Sequence, residues 1–238
     1  MCCLLDGRGL CESRKTGSTQ SWGIAGTSLQ KGCQFIRSLK VGGNLMPCAT
    51  RRARGRPNST VKCDCCGRPE SLVHILQVCP RTWGDRIKRH VAIVLYLVRI
   101  FTKWKCVHFC EPRIVTAEGV RKPDLIVCKN NICFILDVTI VADNADLDAA
   151  HDQKICYYNR VEIKSWARQA TDCQLVELGA IAFNRRGVLA PKSHDLLLRL
   201  GVPKYQITIM IVKVLEGSYY SWLTFQKSTY RSVRTGIL

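Results

Sequence analysis

An α/β domain with a small mixed sheet between helices is predicted by three features of this 238-residue chain. An apolar stripe at helical spacing precedes two short β-type runs joined by a tight turn, and a helical stretch then leads to a further strand. Helix, hairpin, helix, strand, helix is the order of a sheet covered by helices. The first helix carries Ile87, Val91, Val94, Leu95 and Val98 on one stripe, with Arg86, Arg89 and Arg99 off it. The hairpin strands run from Leu125 to Cys128 and from Cys133 to Val141, joined through Lys129-Asn130-Asn131-Ile132. Helical spacing returns from Ala145 to about Gln169. Cys173 to Phe183 reads as a strand, and Asn184-Arg185-Arg186-Gly187 as a turn. A short helix around Leu196 to Leu200 and an apolar segment from Tyr205 to Leu215 complete the core.

Charge narrows the function. The chain has 36 Lys+Arg against 18 Asp+Glu, a net +18, which points to a polyanion: nucleic acid first, an anionic membrane second. The excess is uneven. Residues 1–62 carry a net +9, residues 63–110 +5, residues 111–170 −1 and residues 171–238 +5. A nearly neutral, acid-containing segment between basic ones is the layout expected where carboxylates hold a metal inside a protein that grips phosphates. The longest clean apolar run, Val91 to Val98, stops at Arg99, far short of the roughly 20 residues of a membrane span. The start, Cys2-Cys3-Leu4-Leu5, ends at Asp6 without a basic flank, unlike a signal peptide. A soluble, intracellular protein with no membrane partner is expected.

Residues 1–62 are rich in Gly, Ser and Thr and are expected to be a basic linker, with one short helix around Phe35, Ile36 and Leu39. They end in the flexible basic run Arg51-Arg52-Ala53-Arg54-Gly55-Arg56-Pro57, a candidate nucleic-acid contact or a solvated linker. Residues 63–110 are expected to form a metal cluster and its following helix, and residues 111–238 the main domain.

Fifteen cysteines, an odd number, imply a reducing compartment, with Cys128, Cys133 and Cys156 serving as small hydrophobes in apolar stretches. Four metal-type ligands stand apart: Cys63, Cys66, His74 and Cys79, spaced C-x2-C-x7-H-x4-C. Zinc takes four tetrahedral thiolate or imidazole ligands, and a C-x2-C turn supplies two. Cys65 competes for the second place; Gly67, just after Cys66, supplies the backbone freedom that favours Cys66. With all four positions filled, such a site is structural.

The hairpin carries the chemistry. If Asn130-Asn131 is a two-residue type I′ turn, Lys129 faces Ile132 and Cys128 faces Cys133, so that Asp124 falls opposite Asp137. Opposed residues have Cβ atoms about 4.5–5.5 Å apart. Two carboxylates so placed repel unless a cation lies between them, and hard oxygen ligands suit Mg²⁺. A one-residue slip would send them to opposite faces. Asp137 also stands within Phe134-Ile135-Leu136-Asp137-Val138-Thr139-Ile140-Val141, where a lone buried carboxylate is costly. The next helix aligns His151, Lys154, Ile155 and Tyr158 on one face. Lys154 suits stabilising phosphate charge or activating water, Tyr158 suits hydrogen-bonding a phosphate oxygen, and His151 reads as solvated or capping at least as readily as catalytic. Acid pair, metal and cation are the kit for phosphodiester hydrolysis.

Lys122-Pro123-Asp124, twelve residues, Asp137-Val138-Thr139, then Lys154 and Tyr158 on a helix resemble the restriction-like endonuclease of site-specific non-LTR retrotransposons, which insert into ribosomal RNA genes. His74 to Cys79 is similar to that family's CCHC zinc knuckle, and Arg51 to Pro57 to its basic lead-in. The resemblance covers roughly residues 33–238 and is strongest in 63–160. It implies a PD-(D/E)xK core preceded by the knuckle, in which Asp124 and Asp137 bind catalytic Mg²⁺, Lys154 is the catalytic lysine and Tyr158 its neighbour. Thr139 stands where an ordinary D-x-K pattern has lysine; the family similarly takes its lysine from the helix. Arg51, Arg52, Arg54, Arg56 and Lys122 are the implied DNA contacts. The implied activity is nicking of double-stranded chromosomal DNA to prime reverse transcription of element RNA, in the nucleus after a cytoplasmic phase. No Asp-Asp pair of a polymerase motif is present, so the chain resembles the C-terminal part of a polyprotein whose reverse transcriptase lies upstream. The competing expectation is a non-catalytic nucleic-acid-binding module in which knuckle and basic arm bind and the nuclease core is scaffold.

Overall fold

The structure, a computed structural model, describes residues 7–16, 18–56 and 60–235. Pro57 of the basic run lies outside them. After a 3-10 segment, Arg8–Arg14, come helices α1 (Ser18–Ala25), α2 (Gly32–Gly42) and α3 (Ala49–Arg52). A π-helical turn, His74–Val78, leads into α4 (Trp83–Lys103). Strands β1 (His108–Cys110), β2 (Ile114–Thr116), β3 (Gly119–Arg121), β4 (Leu125–Lys129) and β5 (Ile132–Val141) follow. Helices α5 (Leu147–Tyr158) and α6 (Val161–Thr171) lead to β6 (Leu175–Asn184), then α7 (Pro191–Arg199) and α8 (Lys204–Thr235).

The main sheet has the order β1-β4-β5-β6, with β5 and β6 parallel and the other pairs antiparallel. It is the small mixed sheet the sequence predicts. Asn130 and Asn131 both hold positive φ, 51° and 60°, as a type I′ turn requires. That turn fixes the pairing Lys129↔Ile132 through Leu125↔Leu136.

Strand alternation divides two cores. Leu125, Val127, Phe134, Leu136 and Val138 face α4, α7 and α8, while Ile126, Cys133 and Ile135 face Tyr158, Ile163 and Ala167 of α5 and α6. The larger core also takes in Val41, Met46, Cys48, Cys63 and Cys79. One core therefore draws on all three stretches into which the sequence was divided.

Several expectations change. Residues 18–56 contain no free linker: α1 and α2 lie against α8, and Trp222 Nε1 donates to the Pro47 carbonyl at 2.8 Å. α2 is the expected short helix, but it buries Ser38, Val41 and Gly42 and leaves Ile36 and Leu39 exposed. On α4 the buried side is Arg89, Ile93, Val94, Leu97, Ile100 and Phe101, so Ile87 and Leu95 are exposed and Arg89 is inside. Arg89 enters because acceptors wait there: it donates to Ser218 Oγ at 2.7 Å, Gln77 Oε1 at 2.8 Å and the Leu76 carbonyl at 3.2 Å. The helical stretch after the hairpin is two helices, broken where Asn159 and Arg160 leave helical geometry. The strands β1, β2 and β3 have no counterpart in the sequence reading, and the last apolar segment is the front third of a 32-residue helix. Cys133 is buried as expected, whereas Cys156 is exposed. Among the described residues no helix is long and apolar enough to cross a membrane.

The turn after β6 is fixed by two buried cations. Arg185 Nη2 lies 2.7 Å from Asp143 Oδ2 and 2.9 Å from Asn44 Oδ1, and Arg186 Nε donates to the Gly42 carbonyl at 2.8 Å. Both arginines thus stitch the sheet to the end of α2. Asp143→Ala leaves a buried guanidinium without this counter-charge, and a loss of about 3–5 kcal/mol is expected. In a chain of this size that is a drop in Tm of roughly 6–20 °C, read by thermal denaturation. A change under about 1 kcal/mol would show that the pair does not secure the turn.

Candidate metal and acid-pair sites

The cysteine–histidine cluster grows from a short loop closed by backbone bonds. Cys63 N–H donates to the Arg68 carbonyl and Gly67 N–H to the Cys63 carbonyl, each at 2.8 Å, with Gly67 at φ 69°. The π-helical turn brings His74 round, and Cys79 follows at its end. One ligand atom from each of Cys63, Cys66, His74 and Cys79 lies within 4.8 Å of all the others. Cys66 belongs to this group, whereas Cys65 is exposed. Burial raises the Cys63 thiol and pushes Cys79 up to about 12, while it lowers His74. A bound cation offsets the burial that disfavours the thiolate form of Cys63 and Cys79, and three thiols plus one imidazole suit zinc. Arg81 fastens the loop: it forks onto both oxygens of Asp64, at 2.6 and 3.0 Å, and reaches Thr229 Oγ1 on α8 at 3.2 Å.

The basic run sits against this cluster. Buried Glu70 accepts from the Ala49 N–H at 2.8 Å at the start of α3 and lies 3.5 Å from Arg52. Arg51 donates to the Asn44 carbonyl. Arg52, Arg54 and Arg56 are exposed and Arg51 is half-buried. Residues 51–56 form a helix end and turn in place of the expected flexible run.

The acid pair lies on the sheet face covered by α5 and α6. Asp124 directly precedes β4 and Asp137 lies inside β5, one step beyond the Leu125↔Leu136 pair, so the two are opposed as expected. They are 8% and 4% exposed. Asp124 Oδ2 accepts from the Val138 N–H at 2.7 Å and lies 3.0 Å from His90 Nε2, which is also 3.1 Å from the Val138 carbonyl. With two acceptors before it, His90 Nε2 carries the proton. One Asp124 oxygen is therefore tied to two donors. Lys154 Nζ lies 2.8 Å from Asp137 Oδ2. Burial first, and the Asp124 charge second, push the Asp137 carboxyl above the usual range. Two buried acids side by side, one of them raised by burial and by its neighbour's charge, are a donor set suited to a hard divalent cation.

Neighbouring groups divide between chemistry and support. The Tyr158 hydroxyl lies 3.1 Å from the Lys122 carbonyl, to which it donates, and within hydrogen-bond reach of Asp137, so it supports the segment leading into Asp124 and stands beside the second acid. Burial, then the Asp137 charge, raise its pKa and keep it neutral. The Lys122 side chain is exposed and 2.5 Å from Glu111 Oε2. His151 is buried, 3.0 Å from Ser193 Oγ, and belongs to the packing between α5 and α7. Burial lowers its pKa. His90 escaped the sequence reading because its helix lies thirty-odd residues upstream; its one signal was a histidine flanking a buried arginine.

The class defined by this architecture is a mixed α/β domain carrying a Cys3His metal-type cluster and a buried carboxylate pair. No family model matches the chain. Three relatives do. It is 34% identical, over 96% of its length, to a Retrovirus-related Pol polyprotein from type-1 retrotransposable element R2 of Nasonia vitripennis. It is 31% identical, over 90% of its length, to the corresponding polyprotein of type-2 retrotransposable element R2DM of Drosophila melanogaster. A third, from Popillia japonica, is 27% identical over 97% of the chain. The chain belongs to the R2 retrotransposon Pol polyproteins, of which it matches one segment. It spans 23%, 20% and 48% of the length of these three relatives.

Proposed function

We propose that this chain is the DNA-nicking segment of an R2-type polyprotein: a metal-dependent endonuclease of the PD-(D/E)xK kind with a structural zinc knuckle. The observation that carries the reading is the opposed, buried pair Asp124 and Asp137 with the Lys154 ammonium 2.8 Å from the second acid. Asp124 and Asp137 would hold Mg²⁺, which when bound lowers the pKa of a coordinated water and screens the phosphate. Lys154, partly exposed beside Asp137, is placed to meet negative charge growing on a phosphodiester. His90 and the Val138 N–H keep Asp124 in one orientation. Tyr158 fixes the Lys122 carbonyl and so the approach of the Lys122-Pro123-Asp124 segment.

Double-stranded DNA is the proposed substrate and a ribosomal RNA gene the proposed target, with the nick priming reverse transcription of element RNA by the upstream part of the polyprotein. The nucleus, after a cytoplasmic phase, is the proposed setting. Exposed Arg54 and Arg56, beside the zinc cluster, are the proposed backbone contacts.

The test is conversion of supercoiled plasmid to open circles by the purified chain with and without added Mg²⁺. Nicking that requires Mg²⁺ is expected; tight binding with no nicking would favour the non-catalytic binding module. His90→Leu is expected to slow nicking about 10–100-fold, the usual cost of losing a group that orients a metal ligand. His90→Gln, which keeps an N–H at that reach, restores most of the rate. Equal rates for His90→Leu and the unaltered chain would remove His90 from the site.

A further inference from the structure

The first turns of α4 carry a feature that folding does not use. Trp83, the first residue of α4, is 63% exposed, and the Arg86 guanidinium carbon stands 5.5 Å over its ring. Ile87 beside it is 46% exposed. Trp83, Ile87 and His90 follow the i, i+4, i+7 stripe of one helix face, turned away from buried Arg89 and Ile93. His90 touches Asp124, and seven residues of helix place Trp83 about 10 Å along the axis from it. Cys79 of the zinc cluster lies four residues before Trp83. An indole is thus held in water between the two sites of this chain. Exposed Tyr157, next to Tyr158, has the Arg121 guanidinium carbon 4.5 Å over its ring.

The chemistry of the patch selects its occupant. An apolar protein partner would need a continuous apolar face, and here a single large ring stands under the Arg86 guanidinium in a chain of net +18. A flat π-surface under a guanidinium fits a base and its phosphate, since stacking accepts any base and the cation offsets the backbone charge. A base still paired within a duplex offers its edge and not its face. We infer that Trp83 is a stacking platform for an unpaired DNA base beside the acid pair, so the chain binds DNA with an open segment more tightly than continuous duplex. The inference deepens the nuclease reading by naming the form of its substrate, and its test involves no cleavage.

The experiment measures affinity of the full chain, without added Mg²⁺, for three labelled DNAs of one sequence. These are a duplex, the duplex with a short unpaired bubble, and the bubble with abasic sites for bases. The unaltered chain is expected to bind the bubble about tenfold more tightly than the duplex, and abasic sites abolish that gain. Trp83→Ala loses about tenfold on the bubble and little on the duplex, while Trp83→Phe keeps most of the preference. Tenfold is about 1.4 kcal/mol, within the usual worth of one base on one aromatic ring. Equal affinity for the normal and abasic bubbles, a measurement on the unaltered chain, would overturn the inference. So would equal losses on bubble and duplex in Trp83→Ala. Absence of Mg²⁺-dependent nicking tells against the nuclease reading alone.

Discussion

Asp137→Ala is expected to reduce plasmid nicking by about 10³-fold or more, while DNA affinity stays within about threefold. The rate falls because one of two metal-holding acids is gone, and the stabilisation a metal gives a transition state amounts to several kcal/mol. Affinity stays because binding rests on cations elsewhere on the surface. The fold should survive. Burial already opposes ionisation of Asp137, and Lys154, with a third of its side chain exposed, can be solvated when its partner goes. Parallel nicking rates and gel-shift titrations check both halves. Retained nicking would refute the acid pair as the centre, and a large loss of affinity would assign Asp137 to DNA binding.

His74→Ala is expected to release zinc and to cost at least about 3 kcal/mol, with a Tm lower by roughly 6–12 °C. The effect spreads because the cluster is not peripheral. Cys63, Cys79, Ile75 and Leu76 lie in the same core as Phe101 and Phe225, and Arg81 ties the loop to α8. The same linkage sets a pH dependence. Ligating thiols must lose protons that burial makes them hold, so zinc is retained at neutral pH and lost as pH falls. Metal content by mass spectrometry and thermal denaturation measure the two effects. Unchanged zinc would overturn the ligand assignment.

How much was legible in the sequence depended on whether a feature was local. The Asn130-Asn131 turn sets register by its own backbone preference, so the opposition of Asp124 and Asp137 followed from counting outward. The four cluster ligands sit within seventeen positions and declare themselves by spacing. Lys154 lies on a helix capped by the Asp146 side chain, which accepts from the Ala149 N–H at 2.9 Å. What failed was decided by distant partners. Arg89 reads as a surface cation until Ser218, 129 residues later, supplies an acceptor. Arg185 and Arg186 read as an exposed turn until Asp143, Asn44 and Gly42 surround them. Composition makes residues 18–56 look like a linker with one short helix, because the burial of α1 and α2 comes from α8, far along the chain. The spacing on α5 shows the face of Tyr158, but the Lys122 carbonyl that accepts its hydrogen bond is a backbone group, invisible to side-chain patterning.

The central claim is that Asp124 and Asp137 form one divalent-metal centre, and Mn²⁺ as a stand-in for Mg²⁺ tests it without DNA. Titrating Mn²⁺ into the zinc-loaded chain and following loss of the free hexaaqua signal by electron paramagnetic resonance counts the ions held. The account predicts binding by the unaltered chain that both Asp124→Ala and Asp137→Ala remove, with zinc content unchanged. Mn²⁺ binding of equal strength in the two variants and the unaltered chain would contradict it.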